Sequence, residues 1–339
     1  MRHPASAANG ALNRFGVFRA LEAMDRNDAR IRVLAYHRID HPEADPDLEP
    51  GLISATPDAF RSQLELIGRR YRPVSLDQFL AATRGEAQLP PRSVLLTFDD
   101  AYEDFARQAW PILRAYGVPA TLFVPTAYPD AATAGFWWDR LHAALARTDR
   151  RELQIRPFGR LDLSTRPARR VAYKRCRTHV KTLPHAEAMA FVDRLTSRLA
   201  EVPRLDRVLS WATLRKLSAE GVAVCPHSHQ HALLNRLDRD ERERDLVTAR
   251  QRFRESMHFD RPVMAYPANA VDDAVMEDVA RVGYTCAFGG RRGVDTVPPR
   301  EPLDIMRLPV QRYPLSTYRA QLRPGFARIA RRMLDTRKG

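Results

Sequence analysis

The chain has 339 residues, 44% of them hydrophobic, with 55 Lys and Arg against 41 Asp and Glu, a formal net charge of +14 at pH 7. That is enough apolar material for one large α/β domain or two small ones, and too much for a disordered chain. Three cysteines far apart (Cys176, Cys225, Cys286) make no disulfide framework. No run of about 18 apolar residues offers a membrane span. The positive charge comes without zinc-finger spacing, an RNA-binding signature or a phosphate loop, so no nucleic-acid partner is expected.

Residues 1–29 read as a basic amphipathic arm, with Arg14, Arg19 and Arg26 beside Leu12, Phe15, Phe18, Leu21 and Met24 at spacings of three. No long apolar stretch of a secretory signal is present. The expected location is therefore the cytoplasm, with peripheral contact to anionic membrane through the basic ends. Arg32–His37 is the first strand and ends on a histidine. A Pro-, Asp- and Glu-rich loop follows to about residue 56, a candidate site wall. Phe60, Leu64 and Ile67 mark a helix, Pro73 and Val74 a short strand, and Leu76, Phe79 and Leu80 a short helix.

Ser93–Phe98 is an apolar run of the parallel, buried type, and it delivers Asp99 and Asp100 to its C-terminal end. In α/β sheets and barrels that end is where chemistry collects. Two adjacent carboxylates repel, so a site holding both supplies a cation or shares a proton. The alternative is that they cap the helix starting near Glu103. That helix carries Phe105, Trp110, Ile112 and Leu113 and closes at Gly117. Pro119–Pro125 is the next strand.

Residues 127–210 hold few strand signals and read as a helical insertion. Gly135 opens a helical stretch through Leu145 that contains Trp137 and Trp138. A basic run from Arg150 to Arg177 follows, with helical patterns over 167–182 and 186–200. The tryptophan pair is a candidate for stacking on sugar rings, against the commoner role of buried aromatics at helical spacing. Trp211–Glu220 is a short helix, and Gly221 leads into Val222–Pro226.

That strand ends in His227-Ser228-His229-Gln230-His231. His227 and His231 are four apart, so one helical turn puts both on one face. A carboxylate and two imidazoles suit a divalent metal that keeps positions open for water and substrate. A solvated polar turn is the competing reading. Cys225 is expected to be a small buried hydrophobe and not a ligand. Residues 239–258 form a charged helix whose apolar side is Leu246, Val247, Phe253 and Met257. Pro262–Pro267 is a strand, Val275, Val279 and Val282 lie on a helix ended by Gly283, and Tyr284–Phe288 and Met306–Val310 are strands. Residues 316–339 make a basic amphipathic tail.

Thr97-Phe98-Asp99-Asp100 and His227-Ser228-His229-Gln230-His231 resemble the first two motifs of the polysaccharide deacetylases, carbohydrate esterases built on the NodB-homology domain. Weaker resemblance runs from about residue 30 to about residue 313. It implies an α/β fold, a distorted barrel of seven or eight βα units over residues 30–315, interrupted by the insertion. It implies metal-dependent removal of acetyl groups from a hexosamine-containing polysaccharide or its lipid-linked precursor, part of exopolysaccharide biosynthesis. Asp99 becomes the general base, and Asp100, His227 and His231 the ligands of a divalent metal, zinc first and Co2+, Ni2+ or Mn2+ as substitutes. Tyr266, Pro267, Trp137 and Trp138 become candidate substrate contacts, with an oxyanion-binding amide near Tyr266.

Relatives place their general acid on a histidine near the C-terminus, and no histidine follows His258 here. Leu34-Ala35-Tyr36-His37 matches a circularly permuted subgroup in which this strand comes first, so His37 is the expected acid. A polar cap on strand one is the alternative. Two positions depart from the family pattern. Ala265 stands where an arginine normally precedes the third motif's proline, and Ala101 replaces the glycine after the paired aspartates. The missing arginine leaves open a non-catalytic glycan- or membrane-binding module on the same barrel. Deformylation, or hydrolysis of another amide or ester, is the alternative within enzymes.

Overall fold

The computed structural model describes residues 30–130, 135–200, 205 and 207–323. The N-terminal arm and residues 324–339 of the basic tail lie outside them. Seven parallel strands make the frame: β1 (Arg30–Tyr36), β2 (Ser93–Phe98), β3 (Thr121–Val124), β4 (Ala223–Pro226), β5 (Val263–Ala265), β6 (Cys286–Arg292) and β7 (Ile305–Pro309). Their order is β5-β6-β7-β1-β2-β3-β4. The first strand in sequence thus sits between the last and the second, as the permuted reading expects. The barrel is nearly closed. At the seam between β4 and β5, His227 Nδ1 and Ala265 O lie 2.7 Å apart.

Strand parity explains the interior. Side chains alternate across a strand. Ile31, Val33, Leu95, Phe123, Cys225, Val263, Phe288 and Ile305 pack together as the barrel filling. Leu34, Tyr36, Leu96, Phe98, Leu122 and Val224 take the opposite face, against the surrounding helices. Counting on from the filling in steps of two reaches His227 and Arg307 (one step from Cys225 and Ile305) and His37 and Asp99 (two steps from Val33 and Leu95), so one parity aims all four inward at the C-terminal rim.

The helices of the layer are α1 (Pro57–Arg70), α2 (Leu76–Thr83), α3 (Trp110–Ala115), then α4 (Trp137–Arg147), α5 (Arg166–Val180) and α6 (His185–Thr196) of the insertion, and α7 (Trp211–Ala219), α8 (Arg239–Met257), α9 (Asp273–Val282) and α10 (Leu315–Gln321). Ser75 and Asp238 start α2 and α8 with reciprocal capping boxes. Gly283, at φ 90°, ends α9 in the left-handed conformation that glycine adopts without strain. Helix α10 docks on the barrel: Tyr318 and Leu322 are buried, Tyr318 shares a hydrogen bond with the Tyr36 hydroxyl at 2.8 Å, and Arg32 Nε donates to Leu322 O.

Two sequence expectations change here. The insertion is not purely helical: Glu152–Ile155 and Gly159–Asp162 form an antiparallel hairpin whose Leu153, Ile155 and Leu161 join α4–α6 in a separate core. Three apolar residues among arginines leave too short an alternation to read as strands. On α8, Val247 is 44% exposed, and Ala249 takes the place expected for it beside Leu246, Phe253 and Met257.

Candidate metal and catalytic site

Asp99 continues the β2 ladder, its amide donating to Tyr36 O at 2.9 Å. The chain then turns left-handed at Asp100 (φ 73°) and Ala101 (φ 52°), which separates the two carboxylates. The position usually held by glycine is therefore one where glycine would be unstrained, and Ala101 adopts it at a cost of about 1 kcal/mol. Asp99 Oδ1 accepts from Arg307 Nη1 at 2.8 Å, and Asp99 Oδ2 lies 4.0 Å from His37 Nε2. Asp100 Oδ1 faces His227 Nε2 at 3.6 Å and His231 Nε2 at 3.0 Å. Neither carboxylate serves as the cap of the following helix.

The histidine segment is not helical. Ser228 and His231 both have positive φ (60° and 55°), and the His231 amide donates to Ser228 Oγ at 3.1 Å. A buried carboxylate on α8, Asp245, accepts from the amides of His229 (2.9 Å) and Gln230 (3.0 Å). His227 and His231 therefore converge through a clamped turn, with ring centroids 5.0 Å apart. His229 points away, its Nδ1 2.9 Å from Thr126 Oγ1.

Among the described residues, Asp100, His227 and His231 are the one group whose donor atoms suit a metal, all within 4.8 Å of one another and all buried. Two observations test the fit. Asp100 Oδ1 is buried and takes no hydrogen bond from a backbone amide or hydroxyl, and the groups that face it are the Nε2 atoms of His227 and His231, a costly arrangement for a carboxylate unless a cation satisfies it. The Ala265 carbonyl accepts from His227 Nδ1, which leaves the Nε2 lone pair facing Asp100. Burial pushes the His227 imidazole down to about 4, so it is neutral and ready to ligate at neutral pH. The residues fit a divalent metal.

Burial alone would raise both aspartates. Arg307, His227 and His37 overcome it at Asp99, and His231, His37 and His227 at Asp100, so both stay below the ordinary carboxylate range.

Arg307 is the residue that sequence reasoning missed. The guanidinium absent at Ala265 arrives from β7, across the barrel interior. Its signal was an arginine at inward parity in an otherwise apolar strand. Asp245 had no such signal, being one charge among many on α8. Ala265 contributes its carbonyl instead of a side chain.

The expected substrate contacts divide. Tyr266 is fully buried, its hydroxyl donates to Leu303 O at 2.7 Å and its amide to Phe288 O at 2.9 Å, so neither group is free for substrate. Pro267 is buried beside it. Trp138 is also buried: Nε1 donates to the Tyr102 hydroxyl at 2.8 Å, and its ring packs edge-on against His231 at 4.8 Å. It walls His231 and offers no stacking face. Trp137 is half-buried and lines a groove with His231, Leu233, Met189 and Arg236. Cys225 is buried in the barrel filling.

The family model for polysaccharide deacetylase matches residues 86–287, which hold Asp99 and the Asp100, His227 and His231 cluster. The chain belongs to the polysaccharide deacetylase family. It is 35% identical over 88 residues to the poly-beta-1,6-N-acetyl-D-glucosamine N-deacetylase of Escherichia coli K12, a match covering 26% of this chain and 12% of that protein. The solved deacetylase PplD of Streptococcus pyogenes, in complex with acetate, superposes with a TM-score of 0.57 at 17% identity, over 84% of this chain and 94% of that one. IcaB of Ammonifex degensii gives 0.55 at 17%, over 87% and 97%. The BpsB deacetylase domain of Bordetella bronchiseptica gives 0.53 at 20%, over 85% and 98%. At these identities the structures establish the shared barrel. Among the described residues no helix is long and apolar enough to cross a membrane.

Proposed function

We propose that this polysaccharide deacetylase is a metal-dependent N-deacetylase of a hexosamine-containing polysaccharide or its lipid-linked precursor. The observation that carries the reading is the division of labour between neighbouring carboxylates: Asp100 turned to two histidines, Asp99 turned to Arg307 and His37. The N-acetylglucosamine polymer named for the E. coli relative supports an N-acetylhexosamine as the substrate unit.

A divalent metal held by Asp100, His227 and His231, zinc by its mixed N/O ligand set, supplies Lewis-acid polarisation of the acyl carbonyl and acidifies the attacking water. Asp99 takes the water's proton, and Arg307 holds its carboxyl ionised and fixed in direction. His37, half-buried at the rim, donates a proton to the departing amine. The leaving amine needs that proton far more than a leaving alcohol does, which favours amide over ester hydrolysis. Arg307 also answers the main argument for a non-catalytic module, since the base keeps a guanidinium partner without the third-motif arginine.

Acetate release from N-acetylglucosamine oligomers, before and after chelation and after zinc repletion, is the test. Release that disappears on chelation and returns with zinc is expected. Binding of the oligomer with no release under any metal would overturn the reading.

A further inference from the structure

Helix α5 carries six Lys and Arg and no Asp or Glu. Ala172, Tyr173, Cys176 and Val180 face the insertion core. Two of the cations are structural: Arg169 donates to Leu163 O and Ala146 O, both at 2.9 Å, and Arg177 lies 3.9 Å from Glu49. Arg166, Arg170 and Lys174 are different. They are exposed, recur every four residues on one face, and form no ion pair with any described residue. Like charges at that spacing repel along the helix, so their charge does not stabilise it. Arg175, its guanidinium over the Phe158 ring, and Val171, 60% exposed, flank the row.

We propose that this face of α5 docks the protein on an anionic lipid bilayer. The charge calls for a polyanion, and the shape and composition choose which. The face is convex, about 12 Å long from Arg166 to Lys174, with no stacking aromatic or side-chain amide to read a sugar or a base. An exposed aliphatic among cations suits an interface, where Val171 enters the acyl boundary while the cations meet phosphates. The far end of the same helix, Val180, and Leu183 beyond it, line the groove that reaches Trp137 and His231. Val180 lies about 9 Å along the helix beyond Lys174, so docking would bring that groove near the membrane surface. This last step rests on the deacetylase reading and names a membrane-anchored glycan as the substrate.

The test uses the full chain and vesicles of phosphatidylglycerol with phosphatidylcholine, against phosphatidylcholine alone. The variant R166E/R170E/K174E should lose on the order of 100-fold in partition to the anionic vesicles, with thermal stability and acetate release from a soluble oligomer unchanged. Partition of the wild type should fall with salt. An environment-sensitive dye on Val171→Cys should shift to the blue with anionic vesicles, and the same dye on Val247→Cys, exposed on α8, should not. Unchanged partition of the triple variant, equal dye responses at the two sites, or retention on soluble heparin without vesicle partition would each overturn the proposal. Partition is scored without turnover, so its failure is separate from failure of the deacetylase reading.

Discussion

In the barrel, Arg38, Arg242 and Arg307 are buried and each faces a carboxylate: Asp40 and Asp104, Asp278, and Asp99. In the insertion, Arg166, Arg170 and Lys174 stand in water with no carboxylate among the described residues. The first arrangement spends cations on positioning, because an ion taken out of water must be paired. The second leaves them available to something outside the molecule. The two regions also have separate cores, one built on strand parity and one on amphipathic helices around a hairpin. They meet where α4 presents Asp139, whose carboxylate accepts from the Tyr102 hydroxyl (2.6 Å) and the Glu49 amide (2.7 Å).

The sharpest way to separate the regions is on the barrel rim. His37→Ala should cut hydrolysis of an N-acetyl sugar by roughly 10²–10⁴-fold, barely affect an activated aryl acetate, and leave metal content normal. Equal losses on both substrates would make His37 structural. In the insertion, Phe191→Ala removes a buried ring and should lower stability by about 3–5 kcal/mol, measured by denaturant unfolding, while metal content and acetate release at low temperature persist. Metal loss in that variant would mean the two cores act as one.

The turn that holds the histidines gives a smaller effect. Asp245→Ala should weaken metal affinity by about 10–100-fold, read by competition with a chromogenic chelator, with the pH optimum of the fully loaded enzyme unmoved. Unaltered affinity would show that Ser228 alone holds the turn.

The joint between the regions should respond to pH. Burial pushes the Asp139 carboxyl up to about 7, against its bonds to the Glu49 amide and Tyr102. The folded chain then holds a proton that the unfolded chain has lost above about pH 4. Stability contributed there is present at low pH and falls as pH rises through 4 to 7. Asp139→Asn should flatten that slope in Tm against pH, and an identical slope would assign it to Asp104, pushed up to about 7 as well.

Much of the frame was legible from sequence because buried parallel strands leave apolar runs, and Asp99, Asp100, His227 and His37 stand at their ends. That β1 lies beside β7, the last strand, followed from placing Arg32–His37 first. What was not legible depends on contacts between distant elements. Arg307 reaches Asp99 across the barrel, over 208 positions of sequence, and Asp245 reaches the histidine turn from the middle of a charged helix. The four-residue spacing of His227 and His231 fits a helix and a clamped turn equally, and only the left-handed Ser228 and His231 decide it. Tyr266 belongs to a motif-bearing segment and Trp138 to an aromatic pair, yet both are walls: alternation and burial, not proximity in sequence, determine which side chain meets substrate.

The most direct measurement compares Asp99→Asn with Asp100→Asn, side by side, for bound metal and for acetate release. If the two carboxylates divide base from ligand, Asp99→Asn keeps its metal and loses most release, and Asp100→Asn loses both. Wild-type release by Asp99→Asn, or full metal in Asp100→Asn, would contradict that division and with it the assignment of the site.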